Sequence, residues 1–336
     1  MKSPITAIAL ILFLLNQSVS AKKSELYSSK YYVFQSSLGL NAHLFLYNKA
    51  VRCKFENTHN DSLAYYALKD KWATFSLAEQ LALNKIIRFY RDSLLKHDLL
   101  FDSLMRNFED LLSADHASHT KLRFWQVPAF EALHHFQPFF VKAYWPAIDS
   151  LNKAWLLAHK GEVTAMETAT VPELEKIFKT KLPEAKIKVD LCCFATWAGA
   201  YSYLEEGDPH IIFSTRYAAN QSALATEVVF HETAHFLADK LEAQIKAVIK
   251  SKNLKCDPEL WHKILFYTTG FVLEKEHKLK WEKYDPYYLK MKFEEKSPEF
   301  KSAAEACRLF WNPYLNGDTS FEEALTKMVT YLAGKP

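Results

Sequence analysis

The sequence predicts an α+β fold that is predominantly helical and carries one small β-sheet. Three observations lead there. Glycine is scarce, 7 residues in 336, while aromatic residues make up 15% of the chain, a balance that suits bulky helical cores better than a sandwich or barrel. Two long stretches, 77–112 and 221–250, place apolar residues at helical spacing with neither Pro nor Gly to interrupt them. Strand signals are few and short: Lys186 to Leu191 alternates polar and apolar residues, and His210-Ile211-Ile212-Phe213-Ser214 comes after a Gly207-Asp208-Pro209 break.

Residues 1–21 read as a secretory signal peptide, outside the fold. Lys2 supplies a short basic start, Ala7 to Leu15 is an unbroken apolar run, and Val19-Ser20-Ala21 offers the small residues of a cleavage site. The run is shorter than the roughly 18 apolar residues that a membrane span requires. No later stretch is apolar enough, so an exported protein, periplasmic or extracellular, with no membrane span after signal cleavage is expected. Cleavage after Ala21 would take Lys2 from the 42 basic residues and leave 41 against 39 acidic, a net charge of +2. Such a balance argues against nucleic acid as a partner. Cys53, Cys192, Cys193, Cys256 and Cys307 fit no zinc ribbon, and their odd number leaves at least one without an intramolecular partner. Cys192 and Cys193 would point to opposite faces of a strand.

Residues 22–164 read as a helical N-terminal region. Leu83, Ile86, Ile87, Tyr90, Leu94, Leu104 and Phe108 keep helical periodicity over many turns. Pro128 and Pro138 punctuate the segment after them, and 141–159 is expected to form a helix containing, or kinked at, Pro146. His134 and His135 are adjacent and would diverge by about 100° on a helix. That predicts surface or capping roles for the pair.

Residues 165–336 read as a second domain. Pro172 suits the first turn of a short helix ending near Lys181, where Pro183 stops it. The two strands come next, and then a helix over Ala223 to Asp239 with Asn220 and Ser222 as available caps. Asp257 as cap and Pro258 at the first position open the next helix, which Gly270 could end or interrupt. The charged and aromatic remainder, 275–336, closes with a helix over Phe321 to Leu332 capped by Thr319 or Ser320 and is expected to form a helical layer behind the site.

At the centre of 223–239 stands His231-Glu232-Thr233-Ala234-His235, an H-E-x-x-H pattern. On a helix, residues four apart share a face roughly 5 to 6 Å apart, so His231 and His235 can each bring a nitrogen to one Zn²⁺ at roughly 2.0 to 2.1 Å. Glu232, one step round, can then take a proton from a water activated by that ion. A catalytic zinc needs a third protein ligand and an open position. The metzincin arrangement is excluded, because Ala238 and Leu241 stand where its Gly and His belong. The candidates therefore lie on the next helix: His262, Glu259 and, further along, Glu274. Thermolysin-like enzymes use His, His and Glu, which favours Glu259 by analogy. Glu227 and Asp239 could accept the second ring N–H of a ligand histidine, although an exposed carboxylate is the plainer reading of each. Tyr267 and Tyr201 are candidate oxyanion donors, with core packing the plainer reading of Tyr267.

The strand, H-E-x-x-H helix and following helix resemble the order of a zincin-type zinc metallopeptidase, in which the strand before the helix is the ledge for an extended substrate. His210 to Ser214 is that candidate. Ala195-Thr196-Trp197-Ala198-Gly199-Ala200-Tyr201, the H-E-x-x-H, and Leu260-Trp261-His262-Lys263-Ile264-Leu265-Phe266-Tyr267-Thr268-Thr269-Gly270 further resemble a poorly characterised group of exported bacterial H-E-x-x-H proteins. This likeness spans about 186–275. It implies that His262, in the L-W-H segment, is the third ligand in place of Glu259. The expected function is a secreted or periplasmic zinc-dependent metallohydrolase, a peptidase acting on a peptide or protein substrate, with Glu232 as the proton-transferring carboxylate. The alternative is a noncatalytic zinc-containing binding protein with a zincin-derived fold.

Overall fold

A computed structural model describes residues 25–54, 71–114, 123–124, 126–196, 198–205, 208–280 and 284–334. The expected signal peptide, Trp197 and Trp281 lie outside them, as does the side chain of Cys53.

One five-stranded sheet organises the molecule. Its strands are β1 (Glu25–Ser28), β2 (Tyr32–Gln35), β3 (Ile187–Cys192), β4 (Ala200–Glu205) and β5 (Asp208–Ser214), in the order β1-β2-β3-β5-β4. β2, β3 and β5 run parallel, while β1 and β4 lie antiparallel at the two edges. Two of the five strands match the expected pair, and β1, β2 and β4 add to it. β1 and β2 sit in the region expected to be helical throughout. Four residues are too few to display an alternation, and tertiary bonds define this hairpin. Glu167, from a helix over 130 positions away, accepts hydrogen bonds from Ser29 Oγ at 2.7 Å, Lys30 N at 3.1 Å and Tyr31 N at 3.2 Å.

Helices cover both faces. α1 (Leu38–Lys54), α2 (Leu77–Ser93), α3 (Ser103–Ser113) and α4 (Gln126–Ala143) form one layer, and α5 (Trp145–Phe178) runs on towards the other. The uninterrupted stretch 77–112 is divided between α2 and α3, because Asp98 Oδ1 accepts from Leu100 N and Phe101 N and competes with the helical ladder. Ser76 and Glu79 form a capping box on α2, and Asp102 caps α3. Pro146 opens α5 instead of kinking an earlier helix, and Pro172 lies inside α5 instead of starting a new one. The expected boundary at 164/165 falls within this 34-residue helix, and the sheet takes strands from both sides of it.

The alternation of side chains across the sheet gives the molecule two cores. Tyr32, Phe34, Val189, Leu191, Ile211 and Phe213 face the core shared with α5 and the C-terminal helices. Cys192, Tyr201, Tyr203 and Ile212 face the core built by α1 to α4. Cys192 and Cys193 are buried thiols, and with Cys256 and Cys307 they are free. His134 and His135 are exposed, as expected, with rings 6.3 Å apart.

Candidate metal centre

The H-E-x-x-H residues end α6 (Leu224–His235), an almost completely buried helix. The helix expected over Ala223 to Asp239 ends early, within the uninterrupted stretch 221–250: the chain turns at Phe236-Leu237-Ala238 and resumes as α7 (Asp239–Lys252). Phe236 N, Leu237 N and Ala238 N bond to the carbonyls of Thr233, Ala234 and His235, three residues back, which tightens and ends the helix. All three turning residues are buried, so packing overrides a locally helical sequence. Tyr32 of β2 supports the motif from below, its hydroxyl 2.9 Å from Thr233 Oγ1.

α8 (Leu260–Lys280) comes next and packs against α6. Asp257 Oδ1 accepts Glu259 N at 2.9 Å, so Asp257 to Glu259 form a leading turn and the helix proper starts at Leu260. Gly270 does not end α8. It is required by close approach, since a Cβ there would lie 2.7 Å from Pro286 Cβ and 3.0 Å from Glu227 Oε1.

His262, in the first turn of α8, meets the two motif histidines. His231 Nε2 stands 3.2 Å from His262 Nε2 and 3.2 Å from His235 Nε2, and one ligand atom from each residue lies within 4.8 Å of the other two. Nitrogens bound to one tetrahedral ion at roughly 2.0 to 2.1 Å would stand about 3.3 to 3.4 Å apart, so the spacing suits a shared ion. Among the described residues this trio could hold a metal ion. Glu259 is exposed on the leading turn, and neither it nor Glu274 belongs to the group.

The electrostatics agree with ligation. Burial, reinforced by the neighbouring His235 and His262, holds His231 well below the usual imidazole range. Burial and His262 bring His235 down to about 3, and burial with the nearby Lys263 brings His262 down to about 4. Near pH 7 the three rings are therefore neutral, each with a nitrogen lone pair available to a cation. Aromatic rings enclose them: Phe266 stacks on His231 at 3.8 Å, and Trp261 meets His235 edge-on at 5.5 Å.

Glu232 is 7% exposed and receives a hydrogen bond from Ser202 Oγ at 2.7 Å. Burial pushes its carboxyl up to about 7, and the serine bond acts in the opposite direction. Ser202 lies on β4, whose Ala200-Tyr201-Ser202-Tyr203-Leu204-Glu205 alternation and following Gly207 are the sequence signals that identify it. β4 is the edge strand on this side of the sheet, and β5, the expected substrate ledge, lies between β3 and β4. Gly199 leads into β4 at φ +83°, where a Cβ would lie 2.4 Å from the Tyr217 ring.

The remaining candidates fall elsewhere. Glu227 is buried, contrary to its expected exposure, and serves Tyr284 Oη and Tyr287 N in place of a ligand ring. Burial raises its pKa to about 8. Asp239 is exposed. Tyr267 Oη bonds Asn312 Oδ1 at 3.1 Å, and Tyr201 Oη donates to Glu109 Oε1 at 2.9 Å, so both hydroxyls are engaged away from the three histidines. The final helix is Phe321–Ala333, capped by Ser320. No protein-family model, curated protein or solved structure matches the chain.

Proposed function

We propose that the chain is an exported zinc-dependent hydrolase of the zincin type, acting on peptide or protein substrates. The convergence of His231, His235 and His262 beside Glu232 carries this reading. Three neutral imidazoles form a ligand set used by catalytic zinc, with room for a fourth ligand. When bound, zinc would supply Lewis acidity, activating water and polarising a carbonyl. Glu232 then accepts a proton from the attacking water and delivers it to the departing amine. Export rests on the apolar run Ala7 to Leu15 and the small residues ending at Ala21.

Zinc-loaded protein, chelator-treated protein and the Glu232→Gln variant, each incubated with fluorescein-labelled casein and a pooled library of internally quenched peptides, test the proposal. Cleavage only by the zinc-loaded wild type, with zinc retained in Glu232→Gln, is the expected result. Cleavage by Glu232→Gln at the wild-type rate would sink the mechanism. Stoichiometric zinc without cleavage would favour the noncatalytic binding protein.

A further inference from the structure

β4 presents its residues alternately to two layers, and polar bonds hold both sides. On the face towards α1 to α4, Tyr201 Oη donates to Glu109 Oε1 at 2.9 Å and Tyr203 Oη lies 2.9 Å from His210 Nδ1. His210 is fixed in turn by Asp190, at 2.5 Å from its Nε2, and faces Asp110 at 3.6 Å. Ser113 Oγ donates to the same Asp190 oxygen at 2.5 Å, and Gln35 Nε2 reaches it at 3.0 Å. Glu109, Asp110 and Ser113 all belong to α3, so one helix of the N-terminal region grips the underside of the sheet at three successive points. Tyr201, Tyr203, His210, Asp190 and Glu109 are each at most 6% exposed, which makes these bonds costly to break. Ser202, between the two tyrosines, faces the opposite side and donates to Glu232 Oε2.

We propose that Ser202 is a positioning residue for Glu232, and that the N-terminal helical region serves the metal centre through it. α3 immobilises β4 from one face, and β4 immobilises the carboxylate from the other. The serine bond occupies one oxygen of Glu232 and fixes its rotamer, leaving the second oxygen for proton transfer. This rests on the hydrolase reading, since it assigns Ser202 a part in orienting that reading's proton-transfer group.

Crystal structures of the zinc-loaded wild type, Ser202→Ala and Ser202→Thr test it without reference to turnover. In Ser202→Ala the Glu232 carboxylate is expected to leave its wild-type position while zinc and the three imidazoles stay in place. In Ser202→Thr the carboxylate is expected to remain, because the hydroxyl is kept and a β-branched residue suits a strand. An unmoved Glu232 in Ser202→Ala would overturn the proposal. Kinetics on the best-cleaved quenched peptide provide the second readout. Ser202→Ala should lower kcat about tenfold at little-changed KM, with Ser202→Thr restoring it, as expected for misorientation at full binding. Tyr201→Phe, which removes the direct hydrogen bond from β4 to α3, should lower kcat in the same direction. A wild-type kcat in Tyr201→Phe would overturn the part assigned to α3, and equal losses in Ser202→Ala and Ser202→Thr would overturn the part assigned to the hydroxyl. If the wild type cleaves nothing, the hydrolase reading fails while the crystallographic comparison still decides whether Ser202 holds Glu232.

Discussion

His231 Nε2 and His262 Nε2 lie 3.2 Å apart although 31 positions separate the two residues. Two neutral imidazoles pointing nitrogen to nitrogen can share one proton, but His235 Nε2 stands at the same distance from His231 and competes for it. A cation bound by all three rings would resolve that competition, and the arrangement therefore makes predictions about metal.

His262→Ala should lose its zinc on dialysis, with affinity reduced by more than the roughly 10 to 100-fold typical of disturbing a ligand's outer partner. Glu259→Ala should keep it, since Glu259 is exposed and outside the histidine group. Elemental analysis of the two variants beside the wild type checks this. Retention by His262→Ala with loss by Glu259→Ala would reverse the ligand assignment.

Metal removal should lower the melting temperature, and added zinc should restore it. Binding to the folded state alone at about 100 times Kd contributes about 2.7 kcal/mol. Calorimetry with and without chelator reads the shift. An unchanged melting temperature would show that the three histidines bind no ion of consequence to the fold.

Gly270→Ala should destabilise the protein by about 1 to 3 kcal/mol, the usual range for overpacking. The added Cβ would meet Pro286 at 2.7 Å and Glu227 at 3.0 Å, which outweighs the gain of up to about 1 kcal/mol in helix propensity. Urea denaturation measures it, and a stabilised variant would mean that the segment carrying Pro286 moves aside without cost.

Glu227 sets a pH dependence that can be isolated. Its folded pKa is raised by burial to about 8 from an ordinary 4.5, so it folds in the protonated form. The stability it contributes is complete below the unfolded pKa and is lost as pH rises through the folded one, at up to about 1.4 kcal/mol per pH unit. Between pH 6.5 and 8 the wild type should therefore lose stability faster than Glu227→Gln, which stays neutral and retains an oxygen for Tyr284 Oη and Tyr287 N. Parallel slopes in urea titrations across that window would contradict a protonated Glu227.

Much of the candidate site is legible from residue spacing. His231, Glu232 and His235 sit within one and a half turns of helix, so their relation is a local property of the helix itself. His262 is legible as one of three candidates, because an apolar helix beginning at Leu260 has to return against the motif helix. Ser202 does not stand out in the sequence, because its role depends on which strand forms the sheet edge. Glu227 misleads for a related reason: its helix is buried all round, so a carboxylate at an apparently polar position is enclosed by Tyr284 and Tyr287 from a later segment.

By itself, the sequence determined the helical character of the chain, two strands expected at 186–191 and 210–214 and found at 187–192 and 208–214, and the four-residue spacing of the motif histidines. These follow from periodicity and local geometry. Only the tertiary structure decided that β1 and β2 join the same sheet, that 145–178 is one helix through Pro172, that the chain turns after His235, and that β4 carries Ser202 to Glu232. Each of these rests on burial or on hydrogen bonds between residues distant in the chain, and such contacts exist only once the two cores have closed on the sheet.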